Sequence, residues 1–152
     1  MEPEAPGGVR GGAADVGSDR RRGRNFFLEK CASPTDLPIA LAKWYDYVKW
    51  VLDRVDGLPK NQRFVLGTRL ADAVLEVMEV LAEATYARGT AKAPLLAKAN
   101  RRIEGVRWLV RICKDRNLLS ATQFAFSCRS VEECGRMVGG WLKQAVGKES
   151  AP

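Results

Sequence analysis

Apolar residues recur at three- and four-residue steps through most of the chain after residue 35, and no stretch alternates as a strand requires. The pattern predicts four helices. The first is expected to begin near Asp36, with Thr35 or Asp36 as cap and Pro38 in the first turn, where no amide bond is lost. Its wide apolar face comprises Ile39, Leu41, Trp44, Tyr45, Val48, Val51, Leu52 and Val55, and Gly57 and Pro59 stop it. The second runs from about Lys60 to Arg88, with Phe64, Leu66, Leu70, Val74, Val77, Met78, Leu81 and Thr85 as its buried stripe and Gly89 as terminator. The third has Pro94 near its start and ends around Asn117. Leu95, Ala99, Ile103, Val106, Val110 and Cys113 share one of its faces. The fourth opens on Ser120-Ala-Thr-Gln123, which matches a capping box, and carries Phe124, Cys128, Val131, Val138, Trp141 and Leu142. Gly135, Gly139 and Gly140 interrupt it, and glycines four apart on one face let another helix come close.

Four helices with short links predict an all-α, antiparallel up-down-up-down four-helix bundle over residues 34–147. Residues 1–33 are rich in Gly, Arg, Asp and Pro and poor in large apolar groups, so they are expected to form a disordered basic extension. Its Arg20-Arg21-Arg22-Gly23-Arg24 run suits either a phosphate-touching arm or a plain solvated tail. Nothing in the sequence fixes where Phe26, Phe27 and Leu28 pack. Residues 148–152 are expected to fray.

Composition narrows the chemistry. The 152 residues carry a formal net charge of +7, which favours an anionic partner: nucleic acid, an acidic protein or an anionic membrane. Histidine is absent, removing the commonest general base and metal ligand. Cys31, Cys113, Cys128 and Cys134 form no CxxC pair, so a zinc site is not expected, and the plain reading is buried thiols in a reducing cytosol. Asp72, Glu76, Glu79 and Glu83 make an acidic row along the second helix. A di-metal bundle draws carboxylates from several helices with Glu-x-x-His partners, so the row reads as a solvated face or the partner of a cationic one. No nucleophile–base pair or phosphate-cradling loop is visible, and neither enzyme activity nor a cofactor or metal is expected. No apolar run approaches the roughly 20 residues of a membrane span, which makes a cytoplasmic protein the default.

The third helix carries more than a core stripe. Arg107, Arg111 and Lys114 lie along one flank of its apolar face as a basic ridge, with Arg101, Arg102 and Lys98 as a second group. Phosphate contact by these six is the leading site expectation. Trp108 and Ile112, four apart, point nearly opposite the Ala99–Val106 line, with Leu109 between. That surplus predicts a homo-oligomer with Trp108 and Ile112 at the subunit contact. Trp44, Tyr47 and Trp50 fit a base-stacking platform by type, but aromatics at helical spacing usually belong to a core or interface.

Several segments, in order, carry a resemblance: Asn61-Gln62-Arg63-Phe64-Val65-Leu66-Gly67, Leu95-Leu96-Ala97-Lys98-Ala99-Asn100, Val106-Arg107-Trp108-Leu109-Val110-Arg111, and Gly135-Arg136-Met137-Val138-Gly139-Gly140-Trp141-Leu142-Lys143. Over about residues 36–146 the chain resembles the Avd proteins, the accessory variability determinants of diversity-generating retroelements. It also resembles the wider four-helix-bundle family that includes proteins encoded in intervening sequences of bacterial 23S rRNA genes. The resemblance implies a non-catalytic homopentameric ring that binds a reverse transcriptase and nucleic acid while template RNA is copied into mutagenised cDNA. It places the family's basic pair at Arg107 and Arg111 and implies a structural role for Gly135 to Lys143. The arginine-rich extension lies outside it. The alternative is a stand-alone protein–protein adaptor of the intervening-sequence family, its cations paired with acidic faces such as Asp72–Glu83.

Overall fold

In a computed structural model, residues 38–151 are described, and all regular structure among them is helical. Helix α1 spans Ile39–Asp56, α2 is the single turn Lys60–Gln62, α3 spans Thr68–Tyr86, α4 Lys92–Asp115 and α5 Ala121–Glu149. A π-helical segment, Arg63–Gly67, joins α2 to α3, and a 3-10 turn, Gly89–Ala91, precedes α4. Each long helix packs on the next, and α1 also packs on α5, so the four surround one core. The expectations for residues 1–33, for Cys31 and for capping by Thr35 or Asp36 lie outside the described residues.

The α4 stripe packs as its spacing requires. Ala99, Ile103, Val106, Val110 and Cys113 are buried, Leu95 is half-buried, and Leu96 is buried beside them. Helix α4 ends where the chain turns left-handed at Asn117, with φ of 59°. The Leu118 amide donates to the Cys113 carbonyl at 2.8 Å and the Asn117 amide to Lys114 at 3.0 Å. This is the 6→1 and 5→2 pairing that satisfies terminal carbonyls. Helix α5 starts on the expected box: the Gln123 amide donates to Ser120 Oγ at 3.1 Å and the Ser120 amide to Gln123 Oε1 at 3.0 Å.

Helix α1 begins at Ile39, with Pro38 before it, rather than near Asp36. Its buried face is the expected one at Leu41, Trp44, Val48, Val51 and Val55, but Ile39 and Tyr45 are exposed, while Ala40 and Tyr47 are buried. Buried partners decide this. Trp44 Nε1 donates to the Val74 carbonyl at 2.9 Å, and Tyr47 Oη shares a 2.7 Å hydrogen bond with Ser127 Oγ. A buried hydroxyl or indole N–H needs such a partner, and this register supplies both. Trp44 and Tyr47 are therefore core residues, and Tyr47 stacks on Trp50, which in turn meets Phe126.

The second helical stretch is not one regular helix. The π segment brings Gly67 against α1, where a β-carbon would sit 3.0 Å from Val55 Cγ1 and 3.4 Å from Leu58 Cδ1. Arg63 Nη2 donates to the carbonyls of Asp56 (2.9 Å) and Leu58 (3.1 Å), tying the segment to the α1 turn. The widened turn rotates Phe64 out of the expected stripe, and it is 72% exposed. Leu70, Val74, Val77 and Leu81 are buried as expected, joined by Val80 and Ala84. The stretch stops at Tyr86 rather than Arg88, and α5 continues through Glu149, past the expected frayed end at 148. Among the described helices none is long and apolar enough to cross a membrane.

Candidate nucleic-acid interface

The seam between α4 and α5 is built by one flank of each helix. On α4, Arg107 and Arg111 follow the buried Ile103–Val106–Val110 line by a fraction of a turn, which places their stems beside the seam. On α5, Cys128, Glu132 and Arg136 recur four apart along the flank facing α4. Between them lies a groove of about 610 Å³, within the ~300–1,000 Å³ typical of ligand clefts. Its walls include Arg107, Arg111 and Arg136, the apolar Trp108 and Phe124, and the carboxylates Glu104 and Glu132. A second hollow, bounded by Asn100, Arg101 and Gly135, shares Glu104, Arg107 and Arg136 with it and extends the groove along the seam.

Arg107 is the hinge of this arrangement. A β-carbon at Gly135 would lie 3.0 Å from Arg107 Nη2, so the glycine makes room for a guanidinium rather than for a helix backbone. Gly139 and Gly140 have nothing within 4 Å of such a carbon, which corrects the expectation that Gly135 and Gly139 together admit a close helix. Arg107 Nη1 also donates to Glu104 Oε1 at 2.6 Å, and Arg111 Nε to Asp115 Oδ2 at 3.3 Å. Both pairs are about half exposed or more, and pairs of this kind contribute only a few tenths of a kcal/mol. Exchanging such a carboxylate for a phosphate therefore costs little.

The six sequence-derived cations do not form one patch. Arg107 and Arg111 line the groove, Arg101 borders its extension, and Lys114 is half-buried near the end of α4. Arg102 lies on the opposite flank of α4, where Nη2 meets Glu76 Oε1 of α3 at 3.0 Å. One member of the acidic row, Glu76, thus pairs with the basic helix within one chain. Lys98 is exposed and lines neither hollow. Arg136 is the groove cation that sequence reading did not single out. The available signal was its four-residue spacing from Glu132 and Cys128, which acquires meaning only when α4 lies alongside.

Trp108 is 70% exposed and Ile112 43% exposed on the outer side of α4. Cys128, expected to be buried, is exposed at the groove, whereas Cys113 and Cys134 are buried. Burial raises the pKa of the Cys113 thiol and pushes that of Cys134 up to about 11, so neither is a nucleophile at neutral pH. Among the described residues no three Cys, Asp or Glu side chains gather as a metal cage.

A family model described as bAvd-like matches residues 39–145. UvrABC system protein C of Carboxydothermus hydrogenoformans is 25% identical over 118 residues, covering 68% of this chain and 19% of that protein. The chain thus spans about a fifth of that relative's length. No solved structure matches.

Proposed function

Because the chain belongs to the bAvd-like family, whose Avd-like members are generally non-catalytic accessory proteins, we propose that it is the accessory protein of a diversity-generating retroelement. In this reading it binds the element's reverse transcriptase and its template RNA or cDNA, without catalytic activity of its own, and supports mutagenic retrohoming. The bundle is antiparallel, up-down-up-down, and assembles into a ring-like homo-oligomer. Ile112 and the outer face of Trp108 meet the neighbouring subunit. A ring repeats the α4–α5 groove once per subunit, so individually weak phosphate contacts add and become strongly salt-dependent.

The observation that carries the reading is the seating of Arg107 over Gly135, which aligns it with Arg111 and Arg136 along one seam. Phosphate contacts carry no sequence information, so the binding is sequence-tolerant. The Glu76–Arg102 pair favours a second reading, a protein–protein adaptor whose cations meet acidic faces. Co-expression with the reverse transcriptase of such a retroelement separates the two. Co-purification of that enzyme, with a raised 260/280 nm absorbance ratio, supports the accessory role. A protein free of both enzyme and nucleic acid supports the adaptor.

A further inference from the structure

The α4–α5 groove is not a plain basic surface. Glu104 and Glu132 stand among Arg107, Arg111 and Arg136, and Trp108 forms part of the same wall. A duplex laid across this seam meets it first with its phosphate ridges, which the two carboxylates repel. A single strand does not have that constraint. Its backbone can follow the guanidinium groups while its bases turn inward, where an indole face accepts stacking and a carboxylate accepts hydrogen bonds from base N–H groups. The groove's lining also suits a base better than a phosphate ridge, because Val110, Phe124 and Val131 give it apolar surface that no phosphate contacts favourably.

The geometry points to single-stranded nucleic acid as the ligand of this groove, with an unpaired base stacked on Trp108 while Arg107, Arg111 and Arg136 hold its flanking phosphates. This rests on the nucleic-acid-binding reading above and narrows it to the unpaired form. Trp108 lines the groove and is 70% exposed, which leaves ring surface for a base beside the proposed subunit contact. Mixed charge gives the selectivity: the arginines attract either form, and Glu104 and Glu132 penalise the one that cannot turn its bases in.

The test uses the full-length protein with a 30-nucleotide oligo(dT) and a 30-base-pair duplex at one salt concentration. The single strand is expected to bind at least tenfold tighter and to quench tryptophan fluorescence. Trp108→Phe should lose most of that quenching while Trp44, Trp50 and Trp141 still emit. Trp108→Ala should weaken the single strand by about 5- to 150-fold, the range for one stacked base, and leave duplex binding unchanged. If Trp108→Ala alters the oligomer, the wild-type versus Trp108→Phe quenching difference decides alone. Equal affinity for both forms, or quenching that survives in Trp108→Phe, overturns the inference and leaves the nucleic-acid reading standing. Binding of neither form overturns both.

Discussion

The guanidinium of Arg107, on α4, fills the space where a side chain on Gly135, on α5, would begin: Nη2 lies 3.0 Å from the position of that β-carbon. Gly135→Ala therefore separates stability from binding. Alanine is favoured over glycine in a helix by up to about 1 kcal/mol, and the atom it displaces is the far end of a flexible chain. Denaturation should show unchanged or raised stability, while nucleic-acid affinity falls several-fold as Arg107 leaves the seam. The open position Gly140 is the control: Gly140→Ala should gain stability with no change in affinity.

Tyr47 and Ser127 lie 80 residues apart in sequence and share a buried hydrogen bond of 2.7 Å. Tyr47→Phe leaves the Ser127 hydroxyl without this partner and should cost about 1–2 kcal/mol in urea unfolding. Ser127→Ala should cost a similar amount. The double variant should be less destabilised than the two singles summed, because neither group is then left stranded. Strict additivity in the cycle would mean that the bond does not couple α1 to α5.

Alkaline pH should loosen the bundle. The Cys134 thiol is pushed up to about 11 from an ordinary 9.0, first by burial and then by the Glu133 carboxylate, with Lys43 opposing. Burial also raises Cys113 and Tyr47. Between about pH 9 and 11 the unfolded chain binds fewer protons than the folded one, so stability falls as pH rises. Below pH 9 the contribution is complete. Full titration of Cys134 corresponds to roughly 2–3 kcal/mol. Urea midpoints at pH 8 and 10.5 check this, and Cys134→Ala should flatten the slope.

Ile112 is 43% exposed beside Trp108 on a charged helix. Ile112→Asp places a charge at the proposed subunit contact and should dissociate the oligomer without unfolding the bundle, measured by light scattering alongside circular dichroism. A wild-type protein that is already monomeric at ordinary salt would defeat the oligomer claim.

What was legible in the chain was what is encoded locally. The Ala99–Cys113 stripe and the Ser120–Gln123 box depend on spacing within one helix, and the structure places them as read. Phe64 was misplaced because a π segment breaks the 3.6-residue period that assigned it inward. Tyr45 and Tyr47 are chemically alike and nearly adjacent. The choice between them was made by Ser127, on another helix. Cys128 and Arg136 belong to a groove that exists only once α4 and α5 pair, so no single-helix pattern announced it. The charge ridge was legible as spacing, but its division between the α3 side at Arg102 and the α5 side at Arg107 was not.

The most direct measurement is the salt-dependent affinity of the Arg107→Glu/Arg111→Glu variant for oligo(dT), read beside its circular dichroism. Both side chains are exposed, so the variant should keep its helix content and unfolding midpoint. Wild-type binding is expected to fall steeply with rising salt, and the variant should show no binding at any salt tested. Wild-type-like affinity in the folded double variant would contradict the assignment of the α4–α5 seam as the nucleic-acid interface.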